Sequence, residues 1–277
     1  MTFSQLKAHL FATLRNHYSV DEAAEIFYLL LEQNNQMSRL DFALRNDIKA
    51  INIDKWSVQL NRLCDGEPVQ YILGTADFRG MKLMVNSSVL IPRPETEELV
   101  QLIVENENRS NILDILDIGT GSGCIAVSLK KEMQHANVYG LDVSSDALQV
   151  AKTNGLSQNL EINWILADIA SFQSTKKYDV IVSNPPYIPV SDKSEMAKNV
   201  LDFEPHLALF APENDPLYFY KQIGDFATTH LKKNEGKLYF EAHYIYAKEV
   251  AQYFSKNAYV QLVDDMFGKP RFIVIGY

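Results

Sequence analysis

Ile112-Leu113-Asp114-Ile115-Leu116-Asp117-Ile118-Gly119-Thr120-Gly121-Ser122-Gly123-Cys124 is the stretch that decides the fold. A short run rich in Ile and Leu meets three glycines at alternate positions, and an apolar-patterned segment follows from Cys124. The run predicts a buried strand and the glycines a tight turn into a helix. The unit then recurs. Residues 137–141 read as a strand before a helix from Ser145, and residues 162–166, 180–183 and 237–241 read as further strands. Such alternation argues for a parallel sheet with helices on both faces. The last two apolar runs, 260–263 and 272–275, are joined through Gly268-Lys269-Pro270. That connection is too short for a helical crossover, so a sheet of seven strands is expected, with the last antiparallel.

Outward from this core, 277 residues are long for one domain, and a small domain beside a larger one is expected. Residues 1–66 read as helices: Leu6, Leu10 and Leu14 recur at i+4, Asp21 precedes an apolar run, and Ser38 and Asp54 suit N-caps. Trp56 and several asparagines are left for a surface. Gly66-Glu67-Pro68 breaks the helical pattern. Residues 67–98 then read as a hairpin through Gly80 and a linker, with Pro94 presetting a first helical turn, and residues 99–277 as the sheet domain.

A formal charge of −9 and a pI near 5.2 argue against broad nucleic-acid affinity, because neutralising phosphates takes clustered Lys and Arg. No direct nucleic-acid substrate is expected. Two cysteines, Cys64 and Cys124, give no disulfide framework and point to a reducing, cytoplasmic setting. No secretory h-region is expected at the N-terminus, and no apolar run approaches the roughly 18 residues of a membrane span. The six histidines show no metal-ligand spacing, so no metal is expected. Cys124, at a helix start, suits either a lowered pKa or a small buried role.

The chemistry gathers at strand ends, where open α/β sheets bind ligands. Gly119, Gly121 and Gly123, with Thr120 and Ser122 between them, have the spacing G-x-G-x-G rather than the G-x-G-x-x-G of a dinucleotide site. Asp117 at that strand end would repel a pyrophosphate and suits an ammonium group. Asp142, ending the second strand, suits two ribose hydroxyls, although helix capping with Ser144 and Ser145 is an alternative. Asp168 and Ile169, ending the third, offer an acceptor and a flat apolar contact for an adenine. Ammonium, ribose and adenine sites on three successive strands make the ligand map of S-adenosylmethionine.

The fourth strand delivers Val180-Ile181-Val182-Ser183-Asn184-Pro185-Pro186-Tyr187. Neither proline can donate a backbone hydrogen bond, so the strand stops abruptly and its last groups project past the sheet. The Asn184 side-chain oxygen and the Pro185 carbonyl suit the two N–H bonds of a planar –NH2 group, and Tyr187 offers a flat face. Fixing such a nitrogen would offset the positive charge that it gains on methylation. Residues 204–206 and the acidic stretch 213–215 are expected in a loop over the site, with Phe78 closing it from the hairpin side.

From about Gly66 to Tyr277 the sequence resembles the HemK/PrmC protein-(glutamine-N5) methyltransferases. The resemblance rests on Gly66-Glu67-Pro68, LIPRPETE at 90–97, LDIGTGSGCIA at 116–126, Asn184-Pro185-Pro186-Tyr187, Phe203-Glu204-Pro205 and Asp265-x-x-Gly268-x-x-Arg271. NPPY alone is shared with adenine-N6 and guanine-N2 methyltransferases of nucleic acids, and LIPRPETE beside it is more specific. The resemblance implies a Rossmann-like class I methyltransferase sheet with a small N-terminal helical domain that helps dock the substrate. It implies S-adenosyl-L-methionine as cofactor, held at 119–123, Asp142, Asp168, Ile169 and Asn184. Class 1 peptide chain release factors are the implied partners, and a monomer the implied state. The glutamine of their Gly-Gly-Gln loop would lie against Asn184, Pro185, Pro186 and Tyr187, with Asn184, Pro185 and Tyr187 as the catalytic set. The family often carries E-x-G-x-x-Q where this chain has Glu241-Ala242-His243-Tyr244-Ile245-Tyr246. Glu241 matches there; the Gly and Gln do not.

Overall fold

The computed structural model describes residues 1–108, 110–212 and 215–277. They fall into two compact units, 1–74 with 197–203, and 75–196 with 204–277. The first is helical: α1 (Phe3–Leu14), α2 (Val20–Asn35), α3 (Arg39–Arg45), α4 (Ile53–Cys64) and α5 (Val69–Leu73). Thr2, Ser19 and Ser38 each open a helix with a capping box, so two orphan N–H groups are satisfied at each start. Asp54 does not cap α4. It lies in the first turn, and Asn52 precedes it at φ 58 without a side-chain cap.

Leu6, Leu10 and Leu14 face Ile26, Phe27, Leu30 and Leu31 across the small core. Trp56, expected at a surface, is buried there beside Phe27, and its Nε1 donates to Asn35 Oδ1 at 3.2 Å. One hydrogen-bond partner is enough to let an indole leave water. The helical unit also runs on past Gly66-Glu67-Pro68. Pro68 stands at the N-cap of α5, where its missing N–H costs nothing, and Gly74 ends that helix in the left-handed region at φ 74.

The second unit begins with a hairpin, β1 (Thr75–Phe78) and β2 (Met81–Met84), followed by α6 (Pro94–Asn106). Strand–helix alternation then gives β3 (Asp114–Ile118), α7 (Cys124–Glu132), β4 (Asn137–Asp142), α8 (Ser145–Ser157), β5 (Asn163–Leu166) and β6 (Val180–Ser183). A 3-10 turn (Val190–Glu195) leads to α9 (Lys198–Phe203), which belongs to the helical unit. The chain continues through α10 (His206–Leu209), α11 (Tyr218–His230), β7 (Lys237–Glu241), α12 (Ala247–Phe254), β8 (Tyr259–Asp264) and β9 (Pro270–Gly276). The seven-stranded sheet has the order β5-β4-β3-β6-β7-β9-β8; β9 is inserted antiparallel between β7 and β8.

Two apolar layers sandwich the sheet. Alternate strand residues, Ile115, Val180, Val182 and Tyr239, meet Leu99, Val100 and Ile103 of α6 and Ile125 and Leu129 of α7. Their neighbours Leu116, Ile181, Leu238 and Phe240 meet Tyr220, Ile223 and Phe226 of α11 and Val250 and Phe254 of α12. Burial on both faces is why these strands read as continuous apolar runs rather than alternating ones. Phe78, expected over the site, is 1% exposed in the first layer beside Leu83 and Leu99. The two-residue side-chain alternation of a strand turns it inward.

Gly140 on β4 is required by packing. A Cβ there would stand 2.4 Å from the Trp164 ring, which fills the space instead. Gly140→Val should therefore lower stability by about 1–3 kcal/mol. Urea unfolding followed by tryptophan fluorescence checks this, and an unchanged midpoint would contradict it.

Candidate active site

The five parallel strands β5, β4, β3, β6 and β7 stop at one edge of the sheet, with Ile118 in register with Ser183 and Ser183 with Phe240. Ser183, fully buried, locks two of them: its Oγ donates to the Ile118 carbonyl at 2.7 Å. At that edge a cavity of about 270 Å³ opens, lined from the strand ends by Gly119, Gly121, Asp142, Asp168, Ile169, Ser183, Asn184, Pro185 and Pro186. Pro205, Leu207 and Ala208 close one side. Glu204, just before them, turns inward as an ion-pair partner of Arg93 and accepts from the Ile91 N–H. Of the expected acidic stretch, Glu213 and Asn214 lie outside the described residues.

Each residue of the glycine loop has a different task. Gly119 at φ 72 and Gly121 at φ 54 line the cavity, and a Cβ built on Gly119 would meet nothing within 4 Å. The positive φ and the bare backbone together leave that wall free for close approach. The loop is fixed from behind, where the Gly119 and Thr120 N–H groups both donate to the Leu141 carbonyl at 2.8 and 3.0 Å. Gly123 is the left-handed N-cap of α7, and a Cβ there would lie 3.0 Å from the Ala151 Cβ. Thr120 and Ser122 are buried and stand outside the cavity lining. The Thr120 hydroxyl donates to Asp117 Oδ2 at 2.6 Å, and the Ser122 carbonyl accepts from Asn154 at 2.8 Å.

Three carboxylates differ sharply in surroundings. Asp117 is fully buried; its Oδ2 takes bonds from Thr120 and from the Ala126 N–H at 3.2 Å, while Oδ1 has no partner among the described residues. Burial drives its carboxyl up to about 7 against the pull of those two donors. Its free oxygen is an acceptor that no described residue satisfies, although Asp117 itself stands outside the cavity lining. Asp142 spreads its oxygens between two backbone donors, Gly121 N at 2.8 Å and Ser144 N at 2.9 Å. Burial raises its pKa as well. Capping of α8 falls to Ser144, whose Oγ accepts from the Ala147 N–H at 3.2 Å. Asp168 is exposed on the cavity wall beside Ile169, and its Oδ1 accepts from the Ala170 N–H at 2.9 Å.

Asn184 sits on a buried polar floor. Its Nδ2 faces the Thr96 hydroxyl at 3.4 Å, and Thr96 donates to Glu241 Oε2 at 2.8 Å. Glu241 is 2% exposed; burial carries it to about 7, opposed by the Thr96 bond and by the charge of Arg271. In the sequence Thr96 and Glu241 stood out only as parts of a resemblance and carried no role. Their separation along the chain hides the contact. Tyr187 lies behind the cavity wall, packed on the second apolar layer with its ring 5.6 Å from His243. Burial, then the Glu241 charge, pushes its phenol up to about 12, so it stays neutral. Burial likewise lifts the Cys124 thiol to about 12, which leaves it the packing role. Among the described residues no group of His, Cys, Asp and Glu is placed to hold a metal ion, and no helix is long and apolar enough to cross a membrane.

Comparison with known proteins agrees with this geometry. Residues 95–202 match the Methyltransferase small domain family and residues 5–74 the PrmC N-terminal domain. The chain is 40% identical to the release factor glutamine methyltransferase of Flavobacterium psychrophilum, covering 100% of both chains. It is 42% identical to that of Streptococcus pneumoniae, over 92% of each. Among solved structures a methyltransferase from Pyrococcus furiosus superimposes with a TM-score of 0.52 at 16% identity, covering 80% of this chain and 100% of that one, which bears on the fold alone. A sheet of class I methyltransferase topology, an N-terminal domain of the matching kind and full-length identity of this order lead to one conclusion: the chain belongs to the release factor glutamine methyltransferase family.

Proposed function

We propose that the chain transfers a methyl group from S-adenosylmethionine to the side-chain amide nitrogen of the glutamine in the Gly-Gly-Gln loop of class 1 peptide chain release factors. The observation that carries this reading is the cavity itself, where Asn184, Pro185 and Pro186 share one wall system with Gly119, Gly121, Asp142, Asp168 and Ile169. The donor set fits the cofactor. Asp117 offers a buried, unpartnered carboxylate oxygen for the ammonium, and Asp142 has lone pairs left for ribose hydroxyls. Asp168 and Ile169 offer an acceptor and an apolar contact for adenine. Gly119 and Gly121 keep the floor open, while Thr120, Ser122 and Gly123 hold the loop's shape. When bound, S-adenosylmethionine supplies an electrophilic methyl on a sulfonium, which becomes a neutral thioether once the methyl is gone.

Everything else falls to the chain's own groups. A carboxamide nitrogen is a poor nucleophile because its lone pair is delocalised into the carbonyl. Asn184 Oδ1 and the Pro185 carbonyl accept its two N–H bonds, which orients the lone pair and offsets the charge gained in the transition state. Pro186 keeps the strand end stiff. Tyr187 backs the clamp as a neutral ring rather than as a base, and the surplus proton leaves to solvent after transfer. The formal charge of −9 supports a protein rather than a nucleic-acid substrate. Cys64 and Cys124, both unpaired, suit a cytoplasmic enzyme.

The decisive assay supplies labelled S-adenosylmethionine with a release factor, its Gln→Ala loop variant, tRNA, rRNA and DNA. Label is expected on the release factor alone; label only on nucleic acid would overturn the reading. Asn184→Ala should reduce transfer by at least about 100-fold, on the scale of removing one preorganised transition-state partner, with cofactor binding kept. Asp142→Ala should do the reverse, weakening cofactor binding measured by calorimetry by about tenfold or more, since it removes charged hydrogen bonds worth about 1.5–3 kcal/mol. Normal affinity in that variant would remove Asp142 from the site.

A further inference from the structure

Beneath Asn184 lies a one-way chain of hydrogen bonds. A threonine hydroxyl has one proton, and that of Thr96 goes to Glu241 Oε2 at 2.8 Å. An ionised carboxylate can only accept, so Glu241 holds that proton in place. Thr96 Oγ1 then presents lone pairs to Asn184, and its amide must answer with Nδ2, found 3.4 Å away. The two ends of a primary amide are close in shape and opposite in hydrogen-bonding role, and a turn about the last side-chain bond exchanges them. With Nδ2 committed to Thr96, Oδ1 is left for the other side. We infer that Thr96 and Glu241 are positioning residues: they set the end of the Asn184 carboxamide that meets the substrate, so that an acceptor and not a donor faces the incoming –NH2 group. The inference rests on the role proposed above for Asn184.

The surroundings of Glu241 keep the chain polarised. Arg271 on β9 attracts it and Glu95 on α6 repels it, and the Asn184 side chain also acts on it directly as a donor, in the same sense as Thr96. Its other neighbours are neutral: Tyr187, Tyr220 on α11, whose hydroxyl donates to the Glu241 backbone carbonyl at 3.3 Å, and Cys124 on α7. Arg271 is itself held by Asp265, its Nε donating to Oδ2 at 2.8 Å, with Glu95 Oε1 4.0 Å from its guanidinium. This assigns a function to three segments that looked separate in the sequence. LIPRPETE supplies Thr96, the end of β7 supplies Glu241, and the Asp265 to Arg271 turn supplies the counter-charge. If Glu241 gains a proton it becomes a donor, Thr96 can turn its hydroxyl toward Asn184, and the flipped amide offers N–H to N–H.

The test is a set of variants assayed with both substrates saturating, alongside Asn184→Ala. Thr96→Val should cut kcat on the order of 100-fold, the cost of misdirecting a reacting-centre contact, with the cofactor dissociation constant unchanged. Thr96→Ser, which keeps the hydroxyl, should recover most of the rate. A merely structural role predicts no such kcat-only loss and rescue. In the parent enzyme kcat should rise with pH through about 7 as Glu241 ionises. In Glu241→Gln kcat should be low and that limb absent, because the Gln amide can donate to Thr96 at any pH. Should Thr96→Val fail to fold by circular dichroism, Glu241→Gln decides. Near-parental kcat in folded Thr96→Val, or an unaltered rate and pH limb in Glu241→Gln, overturns the inference if Asn184→Ala is inactive. An active Asn184→Ala instead overturns the reading beneath it.

Discussion

Register at the centre of the sheet is the constraint from which the site follows. Ile118 lies opposite Ser183, and Ser183 opposite Phe240, so the residues that come next on β3, β6 and β7 emerge side by side. Parallel strands all expose their carboxyl ends at one edge, and a one-residue slip would exchange every inward side chain for an outward one. The Ser183 hydroxyl on the Ile118 carbonyl opposes such a slip where it would do most damage. With the register set, the glycine loop, the NPPY turn and Glu241 have little freedom left in where they meet.

Polarity at that edge is graded by depth. Asp168 is exposed, Asp142 is bound by two backbone donors, and Asp117 and Glu241 are buried behind them. Desolvation raises the deeper acids and leaves their charge dependent on what stands nearby. The two deepest of these acids each take a threonine hydroxyl, Thr120 for Asp117 and Thr96 for Glu241. The same small group thus serves two purposes. One threonine steadies a carboxylate behind the glycine loop, and the other passes the polarity of a carboxylate on to a neighbour.

The sequence made legible what is local. Apolar runs, alternate glycines and a strand ended by two prolines each carry their meaning within a few residues, and Asp142 and Asp168 follow from counting strand ends. What it hid depends on contacts across the chain. Thr96 meets Glu241 over a separation of 145 residues, and nothing near either one announces the other. Phe78 and Trp56 were misplaced for the same reason: whether an aromatic side chain faces a core or a surface is settled by what packs on it. Pro68 read as a stop, yet at a helix start its missing donor is harmless, and the helical unit continues to Gly74.

The placement of β9 between β7 and β8 has a consequence for how the protein is made. β8 pairs with β9 but not with β7, although it is synthesised before β9. A nascent chain that has emerged only through Asp264 therefore carries β7 with an open edge and β8 with no partner. Both apolar layers are then incomplete, since Phe272 and Val274 belong to one and Ile273 and Ile275 to the other. Exposed strand edges of that kind invite pairing with other chains. Until β9 has been translated, this part of the sheet stays open to aggregation and to chaperone capture.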